Sequence, residues 1–185
     1  MTPGDPRADD MTGLLTCLRD ICLFRAGPQD LPFSPVLAVR LSALLIGLGV
    51  VGAWVQGVPD HQWPLRLGLM LVFLVGPPWL LLRLRGRASR FVQTLSAMAG
   101  VGVLYNVLAL PLLMALAGGG EAIGRDPGLV LVAWVLLALT LWRVLVAGHV
   151  WRHALDLPAG VGSMLALGLF IAQVLVAGWA LGGQA

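Results

Sequence analysis

About five apolar stretches, each close to bilayer length, are separated in this chain by short breaks rich in Gly, Pro or Arg. A helix of about 20 apolar residues crosses a hydrocarbon core of roughly 30 Å. The chain therefore reads as all-α, a polytopic transmembrane helix bundle of about five spans with an N-terminal amphipathic interfacial helix. Only 11% of its residues are charged, against roughly 25% in a soluble domain that must cover its surface for water. At 185 residues it is too short for a transporter built of two full repeat halves.

The boundaries follow from breakers and charges. Met1–Asp10 is polar, holds Pro3 and Pro6, and reads as a disordered cytoplasmic tail rather than a signal peptide, because acidic residues stand where a positive n-region belongs. From Met11 to Gly27, Leu14, Leu15, Leu18, Ile21 and Cys22 recur at helical spacing, with Arg19 and Arg25 set away from them. That pattern predicts a helix lying in the interface with its arginines toward anionic headgroups; packing against protein would give the same pattern. Pro28–Pro35 is a Pro-rich link, in which Ser34 caps the next helix and Pro35 takes its first position. The spans cover about Val36–Val55, Leu65–Leu82, Phe91–Leu116, Leu129–Ala147 and Ala159–Leu181, leaving 182–185 as an external tail. Pro77 and Pro78 are expected to kink or break the end of the second span. The fourth has an alternative in which helix carries on past Arg143 to Leu155.

All twelve basic residues are Arg, and their distribution sets an orientation. Arg7, Arg19, Arg25 and Arg40, then Arg83, Arg85, Arg87 and Arg90, then Arg143 and Arg152 fall on one side, with only Arg66 and Arg125 on the other. The expectation is a bacterial inner-membrane protein with its N-terminus in the cytoplasm and its C-terminus outside. A net charge of +3 without a compact basic reading surface gives no reason to expect nucleic acid. Trp54 and Trp63, flanking a short outer loop, suit the interfacial aromatic belt. Cys17 and Cys22 point about 140° apart on a helix, which suits neither a CxxC redox pair nor a zinc site.

Few side chains offer chemistry. His149, His153 and Asp156 fall one helical turn apart, and two imidazoles with a carboxylate make a sensible divalent metal set. The glutamate of HExxH is missing and the position is a short turn, so the plainer reading is an interfacial patch in which Trp151 and Arg152 grip headgroups; no cofactor is expected. Asn106 and Gln173, nearest the middle of their spans, are expected to make contacts between helices or with another subunit, and Tyr105 contacts between helices. No Asp, Glu or Lys occupies a span centre, which argues against a proton relay. Small residues four apart, among them Gly162 and Ala166, Gly168 and Ala172, and Ser96 and Gly100, allow close helix contact. Arg83, Arg85, Arg87 and Arg90 anchor the topology and, with Arg19 and Arg25, form a basic rim for anionic phospholipid or an acidic partner.

The approach Phe24–Pro35 to the first span, the Arg90–Leu95 start of the third, and the Asn106-to-Pro111 interior give a layout that resembles the Yip1-like membrane protein family over about Pro35–Leu181. The resemblance implies a bacterial member with a non-enzymatic, membrane-organising or partner-binding role and no catalytic residues. The functional expectation is thus an accessory or scaffold protein binding other integral membrane proteins and anionic phospholipid. Two alternatives stand beside it: a small transporter or lipid-handling protein with a polar intramembrane cavity around Tyr105 and Asn106, and an accessory subunit of a membrane redox complex using His149 and His153. A cavity open to either side would favour the former, and an exposed apolar flank the scaffold.

Overall fold

The computed structural model describes residues 6–119 and 124–182. Its helices are α1 (Pro6–Cys22), α2 (Pro35–Val55), α3 (Trp63–Leu84), α4 (Phe91–Ala117), α5 (Pro127–Leu155) and α6 (Ala159–Gly182). The last five are long and apolar enough to cross a membrane. No strand occurs among the described residues. Of the expected disordered tail, residues 1–5 lie outside the described residues, while α1 already begins at Pro6; residues 183–185 of the external tail also lie outside them.

Local chemistry sets the ends. Ser34 Oγ accepts from the Leu37 amide at 3.2 Å, and Pro35 fills the first turn of α2, where no N–H is needed. Asp126 caps α5 by accepting from the Gly128 amide at 2.8 Å. At its far end α5 stops at Asp156, which adopts a left-handed conformation with φ 47°. The expected break at Pro77 and Pro78 does not occur: α3 stays helical through both prolines to Leu84, and Pro78 is buried. The fourth span takes its longer alternative, and α5 reaches about 44 Å at 1.5 Å per residue.

α4 holds the bundle together through small residues. Its buried face is Thr94, Ser96, Ala97, Ala99, Gly100, Val101, Gly102 and Ala109, so neighbours can approach its backbone. A Cβ on Gly102 would stand 2.9 Å from Leu45 of α2, and one on Gly100 would stand 2.5 Å from Leu18 of α1. α5 and α6 cross more closely still, at Gly148, Gly162 and Ser163, where backbone meets backbone. Gly168, which has the same small-residue spacing, faces open space. Outside, large apolar residues such as Trp54, Trp134, Met164 and Trp179 are exposed, up to 84% for Trp179. In water so much apolar surface would drive association; here lipid covers it.

The N-terminal helix is docked on the protein itself. Leu18, Ile21 and Cys22 are buried in one cluster with Ala97 and Val101 of α4 and Val146 and Val150 of α5. The amphipathic pattern of α1 thus has an apolar partner inside its own chain. After α1 the backbone leaves helix, with Phe24 at φ 61°, and runs as a strap along α4 and α5. Side chains of the bundle satisfy its carbonyls: Trp142 Nε1 donates to Cys22 O at 3.3 Å, His149 Nε2 lies 2.9 Å from Ala26 O, and Gln93 Nε2 donates to Leu31 O at 2.9 Å. A carbonyl only accepts, so the His149 Nε2 carries the hydrogen. Both cysteines are free, and burial pushes the Cys22 thiol up to about 11, which keeps it protonated and unreactive.

Candidate functional site

Two groups of polar residues stand out: a cluster where α1, the α3–α4 turn and the α5–α6 turn meet, called here the basic end, and a cavity among the spans.

At the basic end the predicted metal-type set does not converge. The Asp156 carboxylate accepts from Arg87 through one oxygen and from Arg90 at 3.1 Å through the other. Arg90 also donates to the His153 carbonyl at 3.1 Å, capping the end of α5 with a cation where the helix dipole is negative. His149 is engaged with the strap, its ring edge-on to Phe24 and 4.5 Å from the His153 ring. No group of three or more His, Cys, Asp or Glu side chains suited to a metal occurs among the described residues. Trp151, expected to grip headgroups, is 1% exposed and packs with Leu82, Ala154, Leu155 and Ala166. The basic rim is smaller than its arginine count. Arg19 pairs with Asp20 at 2.9 Å, Arg83 lies over the Trp79 ring at 5.1 Å, and Arg87 and Arg90 hold Asp156. Arg25 and Arg85 remain exposed, without a carboxylate partner among the described residues.

The hydrogen bond from Arg90, followed by the charges of Arg90 and Arg87, holds the Asp156 carboxyl below its ordinary range. A carboxyl depressed in the folded state stabilises the fold above its unfolded pKa of about 3.9 and loses that contribution as pH falls through the folded value. Asp156→Asn is accordingly expected to melt earlier than the parent at pH 7 and at pH 5. The two melting temperatures should converge once the pH drops well below about 4. A constant gap at every pH would assign the effect to packing instead.

The cavity lies between the spans and has a volume of about 360 Å³. All five spans line it: α3 is buried only at Pro78 and Leu82, toward the basic end, and one face of it, with Trp63, Arg66, Met70, Phe73 and Pro77, borders the space. Arg143, Val144, Ala147 and Trp151 form one stripe of α5 along the wall, at the helical spacing that puts residues on one face. Most of the lining is aliphatic or aromatic. The polar exceptions are Trp63, Arg66, Asn106, Arg143 and Gln173.

Each of these is positioned by its helix. Thr140 gives its hydroxyl hydrogen to Leu136 O at 2.8 Å, so at 3.0 Å it accepts from the Tyr105 hydroxyl, tying α4 to α5. The Tyr105 ring then carries Arg143, whose guanidinium carbon sits 4.8 Å from the ring centroid. Arg143 is about 18 Å from the end of α5 at Leu155, counting 1.5 Å per residue. Asn106 does not reach a neighbouring helix: its Nδ2 donates back to Gly102 O at 2.8 Å, and the residue lines the cavity. Gln173 also lines it, with no hydrogen-bond partner among the described residues. Trp63 and Arg66, three apart on one face of α3, both point a buried N–H without an acceptor, Trp63 Nε1 and Arg66 Nε. The buried hydroxyls of Ser42 and Ser96 are also unpaired, but they lie outside the cavity wall.

Sequence reasoning therefore found Tyr105, Asn106 and Gln173 but counted Arg143 and Arg66 as topological charges and Trp63 as a belt residue. The available signal was the i, i+3 spacing of Trp63 and Arg66, and the continuous apolar helix on both sides of Arg143. No known protein family, curated protein or solved structure matches the chain.

Proposed function

We propose that this multi-pass membrane protein is a non-enzymatic lipid-handling protein that takes an amphiphile into the cavity bounded by its five spans. The carrying observation is the cavity. Its volume of about 360 Å³ falls in the range of roughly 300–1,000 Å³ common for small-molecule sites, and its wall has their composition, apolar with a few polar groups. A soluble metabolite would have to strip its hydration to enter such a wall, whereas a molecule already dissolved in the bilayer would not. The basic end is assigned to the cytoplasm of a bacterial inner membrane on the distribution of arginines. The likeness to Yip1-like proteins rests on the five-span layout. For the scaffold reading, exposed large apolar residues occur on every span, so none is marked as a docking flank.

Photo-crosslinking tests the proposal. The protein in phosphatidylcholine vesicles is exposed to a long-chain amphiphile bearing a diazirine, and labelled peptides are mapped. Labelling at Met70, Phe73 and Met98, which line the cavity, is expected in addition to the outer residues Trp134 and Trp179. Labelling confined to the outer residues would remove the cavity as a binding site.

A further inference from the structure

Resting on the cavity reading, we infer that the amphiphile is an anion, its headgroup of phosphate or carboxylate type held by Arg66 with Trp63 on α3 and by Arg143 on α5. The first ground is the imbalance of hydrogen-bonding capacity. An indole N–H and a guanidinium are donors only. Trp63 Nε1 and Arg66 Nε are buried with no acceptor, and Arg143 rests on the face of Tyr105 without a hydrogen bond to any described residue. Against these donors the cavity wall offers the amide oxygens of Asn106 and Gln173. A ligand that completes the site must supply acceptors.

The second ground is charge. None of the five spans contains Asp or Glu, and neither arginine pairs with a carboxylate among the described residues. An ionised side chain taken out of water needs a paired charge, and intramembrane arginines accordingly face cavities or pathways. Among the described residues Arg143 rests on the Tyr105 ring, which attracts a cation by about 0.5–2 kcal/mol. A phosphate or carboxylate supplies both the opposite charge and two or more acceptor oxygens, and a guanidinium binds either in a forked geometry.

The third ground separates a headgroup from a free ion. Beyond these polar residues the wall consists of Leu45, Val50, Phe73, Leu74, Val101, Phe170 and similar side chains. Bare inorganic phosphate would leave that apolar surface uncovered, while an alkyl chain would occupy it. The lining extends from Trp63 in the first turn of α3 to Trp151 near the opposite end of α5, which suits an elongated molecule.

The test compares a long-chain monoalkyl phosphate with the alcohol of the same chain length, each carrying the same diazirine, in phosphatidylcholine vesicles containing the full chain. The phosphate is expected to label the cavity-lining Met70, Phe73 and Met98 at least about tenfold more than the alcohol, the scale of one charged hydrogen bond. Arg143→Gln and Arg66→Gln should each cut that preference several-fold, while Arg143→Lys, which keeps the charge, retains part of it. Arg85→Gln, at the basic end and outside the cavity wall, should leave the preference unchanged. Equal labelling by phosphate and alcohol in the parent overturns the charge assignment and leaves the cavity reading standing; absence of cavity labelling by either probe overturns both. Competition by millimolar inorganic phosphate alone would identify a free-anion site and overturn the headgroup assignment.

Discussion

Gly148→Leu is expected to separate α5 from α6 and give the largest loss of stability of any single substitution in the spans. A Cβ built on Gly148 would meet Ser163 Cα at 2.8 Å and Ser163 N at 3.2 Å, and one on Gly162 would meet Gly148 O at 2.6 Å. These neighbours are backbone atoms, so no rotamer change relieves the clash; the helices themselves must move apart. Lipid competes with side chains for apolar contact, so the pairing of spans depends on close packing more than on burial from water. Overpacking of a well-filled core costs about 1–3 kcal/mol for an added methyl or so. Gly148→Ala should therefore be measurably less stable in thermal unfolding in mild detergent, and Gly148→Leu too unstable to purify as a sharp species. Gly168→Leu provides the control. Its position faces open space, and replacing Gly within a helix improves helix propensity by up to about 1 kcal/mol. Similar losses at 148 and 168 would mean that side-chain size alone, rather than the α5–α6 crossing, sets the outcome.

The same pair shows what could and could not be read in advance. Spacing of small residues singled out Gly162 with Ala166 and Gly168 with Ala172 equally, yet only the first lies at a crossing; Gly148, its partner, went unmarked. A four-residue repeat locates a face of a helix but carries no information on which helix turns toward it. By contrast, spans were legible because length and apolarity are imposed by the bilayer itself, independent of neighbours. The caps at Ser34 and Pro35 were legible for a similar reason, being local. α1 lay between: its apolar stripe was visible, but lipid and protein satisfy such a stripe alike; Leu18 docks against Gly100 while Leu15 stays exposed.

The functional residues followed the same division. His149 and His153 were aligned correctly by helical periodicity, while Asp156 leaves the helix as its left-handed cap, and the partners come from far along the chain, Ala26 for His149 and Arg87 and Arg90 for Asp156. Tyr105 was expected to bridge helices and meets Thr140. Asn106 and Gln173, expected to meet another helix or another subunit, face within this chain a space that exists because α3 stands away from the other spans along most of its length. A cavity is a property of packing and leaves no mark in a single sequence.

Filling that space should abolish occupancy. Ala147 lies on the cavity stripe of α5 and Ala53 faces the same space from α2, so an indole at either position takes up volume the ligand needs. Using two sites on different helices distinguishes occlusion from a local folding fault, since both variants should lose the ligand while retaining helix content. The direct measurement is native mass spectrometry of the parent, Ala147→Trp and Ala53→Trp proteins released gently from their own membrane. The account predicts that the parent carries one anionic amphiphile per chain and that both Trp variants fly as the bare chain. A parent at the bare mass, or an adduct pattern of bulk lipids that the two Trp substitutions leave unchanged, would contradict it.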